Sequence, residues 1–168
     1  MSSTAPLLAY RPDLDGLRAL AVIGVVVFHA VPLLAPGGCV GLDVFFVLSG
    51  YLITILSHRR MLRGDFSFMD FYARRARRLL PALFTVVLAT LLVGSQLYGL
   101  REQAALGEAS AAAALFGANI HDDYSVDYFE AGLETLPLLH LWSLGVEEQF
   151  YLLAPAGLLL LYRRPRLW

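Results

Sequence analysis

The chain has 168 residues, of which 58% are hydrophobic, and its mean hydropathy is strongly positive. Soluble domains contain about 45–50% apolar residues, so this composition excludes an ordinary soluble enzyme and indicates a membrane protein. The formal net charge is only −1, and all thirteen basic residues are arginine. Their positions along the chain are therefore more informative than their sum.

The first apolar run begins near Leu17 and is bracketed by two ionisable residues. Arg18 and His29 enclose ten residues without a charge. On a helix, eleven steps separate them by about 16 Å along the axis but only about 20° around it, so they share one face. Ionisable groups in hydrocarbon are costly and usually functional, which makes His29 a candidate proton acceptor and Arg18 a candidate anion anchor. The alternative is a snorkelling arginine and a histidine satisfied by a neighbouring helix.

The predicted fold class is all-α, a polytopic transmembrane helix bundle. Four apolar segments have the length of about 17–25 residues that crosses a bilayer. They lie at about 17–35, 40–57, 79–100 and 141–162. A fifth segment, 104–120, carries Glu108 and is only marginally long enough, so it either crosses or forms an interfacial or re-entrant helix.

The arginines favour one orientation of these helices, because short cytoplasmic loops carry excess Lys and Arg. If the N-terminus is cytoplasmic and 104–120 does not cross, every arginine except Arg101 lies inside. If that segment crosses, the final arginine cluster at 163–166 moves outside. We prefer the first topology, which places the acidic stretch 121–139 outside.

The second apolar helix begins with a carboxylate. Asp43 is either a residue facing a polar cavity or an interfacial group favoured by the helix dipole. Ser49 and Gly50, in the middle of this helix, are typical of close helix packing. Cys39 is the only cysteine, which excludes an internal disulfide, and we interpret it as a small apolar filler.

Four arginines fall within five positions in the segment FYARRARRLLPAL. Arg75 and Arg78 are three residues apart and therefore adjacent on one helix face. Two guanidinium groups in this arrangement can clamp phosphate oxygens, or they can act as a positive-inside anchor at anionic lipid headgroups.

A second polar group lies in LLHLWSLGVEEQFYLLAP. His140, Glu147 and Tyr151 recur at spacings of seven and four, so they share roughly one helix face that we expect to point into the protein. A buried Glu147 or Glu148 can hold a histidine or a substrate hydroxyl, or belong to a structural hydrogen-bond network. Trp142 suits an interfacial position.

Together these stretches resemble the integral-membrane acyltransferase 3 family, whose members acylate glycans at the bacterial surface. The resemblance rests on four segments in order: YRPDLDGLRALAVIGVVVFHA, GGCVGLDVFFVLSGYLIT, FYARRARRLLPAL and LHLWSLGVEEQFYL. The opening RPDLDGLRA looks most like members that O-acetylate lipopolysaccharide or peptidoglycan-type sugars.

The resemblance implies a transfer of an acyl group, by default acetyl, from cytoplasmic acyl-CoA to a glycan hydroxyl across the inner (plasma) membrane. It assigns His29 as general base or transient acyl acceptor, and Arg18, Arg75 and Arg78 as donor-binding residues. Glu147 and Glu148 would act on the acceptor side. The cavity would be completed by the following residues: Asp43, His140, Trp142, Ser143 and Tyr151. We expect acyl-CoA as a donor substrate, no permanently bound cofactor, no metal and no nucleic-acid partner.

The chain differs from the family in length, since typical members have about ten spanning helices. Residues 1–168 therefore correspond to the N-terminal part of such a domain, and we expect a missing C-terminal half or a partner chain. A non-catalytic membrane subunit or transport component that keeps the helical scaffold is the alternative function.

Overall fold

The computed structural model describes residues 11–125 and 137–162. Within these ranges the regular structure is helical and contains no β-strand, which confirms the predicted all-α class. The helices are α1 (Pro12–Ala30), α2 (Val40–Arg63), α3 (Phe68–Leu97), α4 (Leu100–Ala114), α5 (Ala118–Ser125), a 3-10 helix (Leu139–Leu141) and α6 (Trp142–Tyr162). Three stretches of the described residues are long and apolar enough to cross a membrane: Val40–Arg63, Phe68–Leu97 and Leu139–Leu161.

The first helix begins earlier and ends earlier than the apolar run at 17–35. It ends at Ala30 because Pro32 disfavours the helical conformation for Val31, whose backbone has φ −143° and ψ 80°. Its start at Pro12 brings Asp13, Asp15 and Arg18 into its 19 residues, so α1 is not among the three most apolar stretches.

The helices α1 and α2 pack as an antiparallel hairpin through glycines that leave no room for a side chain. A Cβ on Gly38 would overlap the carbonyl oxygen of Gly24 and lie 2.8 Å from Phe28 Cβ. A Cβ on Gly41 would likewise overlap the carbonyl oxygen of Ala21. Small residues at these positions let the two backbones approach closely, as in many membrane helix pairs.

Two helices continue beyond their apolar segments into the charged connection between them. The helix α2 runs through the arginines at its end to Gly64, whose φ of 74° is the left-handed conformation that favours glycine. The helix α3 begins at Phe68 because the Ser67 side chain accepts a hydrogen bond from the Asp70 amide. Hydropathy thus gives the apolar part of a helix, whereas capping residues give its ends.

The described residues divide into two compact units, one with residues 11–66 and 151–162 and the other with residues 67–125 and 137–150. In the second unit α4 runs antiparallel to α3, since Leu106 packs against Gly94 near the connection between them. Their shared core contains the following buried residues: Leu83, Val87, Leu106, Ala113, Ala118, Leu138 and Leu141.

The segment 104–120 is not one helix, because the helical conformation is interrupted at residues 115–117. Phe116 has a φ of 55°, and the amide of Gly117 donates to the carbonyl of Ala112 at 2.8 Å. The helix α5 then starts beside α6 and packs against the 3-10 helix. We call the two helices joined by this break, α4 and α5, the α4–α5 hairpin.

Candidate functional site

The predicted site residues fall into both units. Arg18, His29, Asp43 and Tyr151 belong to the first unit. The second unit contains the other predicted residues: Arg75, Arg78, His140, Trp142, Ser143, Glu147 and Glu148.

Arg18 lies inside the α1–α2 hairpin rather than at its edge. Its Nη2 donates to the hydroxyl of Ser49 at 3.4 Å, and its guanidinium carbon lies 4.8 Å from the centre of the Phe45 ring. Ser49 precedes Arg59, the first arginine of α2, by ten residues. Ser49, and with it the guanidinium of Arg18, therefore lies about 15 Å along the helix axis from the arginines at the end of α2. The Arg18 Nε is buried and has no hydrogen-bond partner among the described residues. An arginine in this setting keeps donor capacity for an anion.

The imidazole of His29 lies in the last turn of α1, where it is exposed. Its Nδ1 is 2.9 Å from the carbonyl oxygen of Val25, and its ring makes an edge contact with Phe28. Because a carbonyl only accepts, Nδ1 must donate, and the neutral ring then has its free lone pair on Nε2. The arrangement therefore presents Nε2 as a base or nucleophile.

The continuous helix α1 carries both Arg18 and His29, so the shared face predicted from their spacing is retained. His29 is nevertheless at the helix end and not deep in the apolar run, because α1 ends at Ala30. Asp43 is exposed in the first turn of α2, a position that the helix dipole favours for a carboxylate.

Arg75 and Glu148 form an ion pair across 73 residues of sequence. Arg75 Nη2 lies 2.7 Å from Glu148 Oε1 and Arg75 Nε lies 3.4 Å from Oε2. Their side chains are only 19% and 13% exposed. The resemblance assigns Arg75 to the donor side and Glu148 to the acceptor side, and these roles stay predictions. In the structure the two side chains are in direct contact.

The remaining predicted residues differ in their exposure. Arg78 and His140 are exposed, Trp142 is at the surface, and Tyr151 is buried. The Ser143 hydroxyl donates to the carbonyl of His140 at 3.1 Å, which is a local contact at the start of α6. Glu147 is partly buried.

Sequence reasoning missed a reciprocal amide pair next to Glu148. Gln149 Nε2 donates to Phe116 O at 3.0 Å and to Asn119 Oδ1 at 2.9 Å, and Asn119 Nδ2 donates to Gln149 Oε1 at 3.2 Å. The available signal in the sequence is the polar amide Asn119 close to Gly117. Because Asn119 and Gln149 are 30 residues apart, no local pattern indicates that they are in contact.

Residues 11–168 match the family described as the acyltransferase domain. The chain belongs to this family. The matched range includes all of the predicted site residues, from Arg18 to Tyr151. Together with the three apolar stretches, the match describes the chain as part of a multi-pass membrane protein of the acyltransferase family.

Two bacterial members of the acyltransferase family are close relatives of the chain. The peptidoglycan O-acetyltransferase OatA of Listeria monocytogenes is 40% identical over 151 residues, which cover 89% of this chain and 24% of that protein. The O-acetyltransferase OatA of Staphylococcus aureus is 42% identical over 162 residues, which cover 92% of this chain and 26% of that protein. The chain thus spans about a quarter of the length of these relatives. No solved structure matches it.

Proposed function

We propose that the chain is the N-terminal part of an enzyme that transfers an acetyl group from cytoplasmic acyl-CoA to a hydroxyl of a cell-envelope glycan. The observation that carries this proposal is the similarity of about nine-tenths of the chain to proteins named O-acetyltransferases. One of them is named for peptidoglycan, which supports a glycan as the acceptor.

Arginines in each of the two units are the candidates for binding the donor. Acyl-CoA carries phosphate groups, and guanidinium groups bind phosphate oxygens in a bidentate manner. Arg78 is exposed on α3, and Arg18 has a buried Nε without a partner among the described residues. Arg75 is bound by Glu148, so a donor phosphate competes with that carboxylate for the same guanidinium.

His29 supplies the base. Its Nε2 removes the proton from the acceptor hydroxyl while the oxygen attacks the thioester carbonyl, the carbon–sulfur bond breaks, and the CoA thiolate takes up the proton. Alternatively, Nε2 attacks the thioester itself, CoA leaves as the thiolate, and the glycan hydroxyl then takes the acyl group from the ring. Both routes need a neutral ring with its lone pair on Nε2, which the bond from Nδ1 to Val25 supports.

The protein lies in the inner (plasma) membrane with its N-terminus in the cytoplasm. The concentration of arginines at the end of α2 and in the first turns of α3 supports that orientation. The break at residues 115–117 supports the topology in which 104–120 does not cross, because the helices on its two sides have 15 and 8 residues and each is too short to span a bilayer. Irregular backbone such as residues 115–117 is tolerated at membrane depth where protein surrounds it.

The test of the base is His29→Ala in the intact membrane-embedded protein, with Val26→Ala as control. Val26 is exposed on the same helix, so its truncation shortens a side chain without removing an ionisable group. We expect His29→Ala to lower the O-acetyl content of the envelope glycan at least 100-fold at equal protein level, and Val26→Ala to leave it within twofold. Wild-type acetylation in His29→Ala would refute the role and favour a non-catalytic membrane subunit.

The donor site is tested by Arg78→Gln. The control is Arg77→Gln, since Arg77 is also exposed and lies one position earlier. Both variants remove one positive charge from α3, so a simple membrane anchor would make their effects equal. Loss of one charge-assisted hydrogen bond, about 1.5 kcal/mol, raises the KM for acetyl-CoA roughly tenfold in Arg78→Gln. Equal KM values for the two variants would contradict phosphate binding by Arg78.

A further inference from the structure

The strongest unassigned feature is the junction where the α4–α5 hairpin meets α6. The tip of the hairpin presents a carbonyl, that of Phe116, which the positive φ of this residue turns out of the helical pattern. Gln149 donates to this carbonyl and to Asn119 through one nitrogen, while its oxygen accepts from Asn119. Reversing one of the two side-chain amides would place NH2 group against NH2 group and oxygen against oxygen. The network therefore fixes the orientation of both the Gln149 and the Asn119 amide.

The same junction leaves no room for a side chain at Gly145, one turn before Gln149. A Cβ there would lie 2.7 Å from Asn119 Oδ1 and 3.1 Å from Phe116 O. Close backbone approach and three hydrogen bonds therefore fix both the height and the rotation of α6 relative to the hairpin.

Glu148 precedes Gln149 by one residue and points to a different element. Gln149 binds the hairpin, whereas Glu148 binds Arg75 on α3. Successive helical residues differ by about 100° in direction, so a rotation of α6 that breaks one contact also displaces the other.

We infer that Gln149 is a positioning residue, which together with Asn119 clamps α6 to the hairpin tip and so holds Glu148 against Arg75. The effect on acyl transfer rests on the proposed function, in which Arg75 meets the donor, whereas the clamp itself rests only on contacts within the second unit.

The clamp is tested without reference to activity by thiol cross-linking in membranes. In a Cys39→Ser background, the pair Arg75→Cys and Glu148→Cys reports the native height of α6. The pair Arg75→Cys and Leu144→Cys reports a displacement by one turn. Adding Gln149→Ala should lower the ratio of the first yield to the second at least threefold, whereas general unfolding lowers both yields together.

Two further variants make the result specific. Gln96→Ala removes an exposed glutamine of α3 whose side chain donates to the adjacent Ser95, and it should leave the ratio unchanged. Asn119→Asp keeps the acceptor for Gln149 Nε2 and loses one of the three hydrogen bonds, so its effect should be intermediate. If the Gln149→Ala protein is not found in the membrane, Asn119→Asp takes its place in the experiment. An unchanged ratio in Gln149→Ala, or in Asn119→Asp where that variant stands in for it, overturns the clamp.

Acetylation of the envelope glycan then separates the clamp from the proposed function. We expect Gln149→Ala to reduce O-acetyl content at least tenfold alone, but less than twofold when added to Glu148→Gln, because both act through Arg75. Equal factors in the two backgrounds overturn the positioning role. A further outcome separates the two claims. If Gln149→Ala lowers the cross-linking ratio, but neither Gln149→Ala nor Glu148→Gln changes acetylation, the clamp is supported and the proposed role of the Arg75–Glu148 pair in acyl transfer is refuted.

Discussion

Gly38 and its neighbour Gly37 provide a direct test of the close approach between α1 and α2. A Cβ at Gly38 would lie 2.8 Å from Phe28 Cβ and 3.0 Å from the carbonyl carbon of Gly24, whereas a Cβ at Gly37 meets nothing within 4 Å. Carbon atoms in ordinary contact are about 3.5–4.0 Å apart, so Gly38→Ala requires a shift of about 1 Å. Overpacking of this kind costs about 1–3 kcal/mol.

The shift also reaches the catalytic candidate, because Phe28 immediately precedes His29 and contacts its ring. A displacement of about 1 Å at a reacting group lowers a rate by up to 100-fold. Thermal unfolding in detergent and the O-acetyl content of the envelope glycan measure the two effects. Gly38→Ala should lose both stability and acetylation, and Gly37→Ala should lose neither. Identical behaviour of the two variants would refute the packing argument.

Two further predictions concern the second unit. Arg75→Gln or Glu148→Gln alone leaves a largely buried charge without its partner, and each should lower the free energy of unfolding by about 3 kcal/mol. The double variant with two glutamines should recover part of that loss. Strict additivity in chemical denaturation would contradict the pair. Gly145→Ala should destabilise the protein by about 1–3 kcal/mol because its Cβ would meet Asn119, while Gly157→Ala, on the same helix with open space around it, should be neutral or stabilising. Thermal unfolding of the two alanine variants decides between these outcomes.

The sequence predicts the helical class and the apolar cores of the helices well, because hydropathy responds to the same solvent preference that forms them. It predicts helix ends less well. The end of α1 depends on Pro32, and the start of α3 depends on the Ser67 cap, both of which are local signals that a hydropathy window averages away.

The site is predicted only in part, for a physical reason. The shared face of Arg18 and His29 follows from periodicity within one helix. The contacts of Arg75 with Glu148 and of Asn119 with Gln149 join residues that are 73 and 30 positions apart, so they depend on how helices pack. No local pattern contains that information, so the sequence predicts neither contact.

The break at Phe116 has a consequence for how this protein is inserted. It leaves two helices of 15 and 8 residues, and each is shorter than the about 20 residues that a helix needs to cross the hydrocarbon core. In the topology proposed above, α4 and α5 therefore add no crossing, and the orientation of α6 does not depend on them. A single spanning helix in their place would reverse the direction of α6 and carry the arginines after it to the opposite compartment.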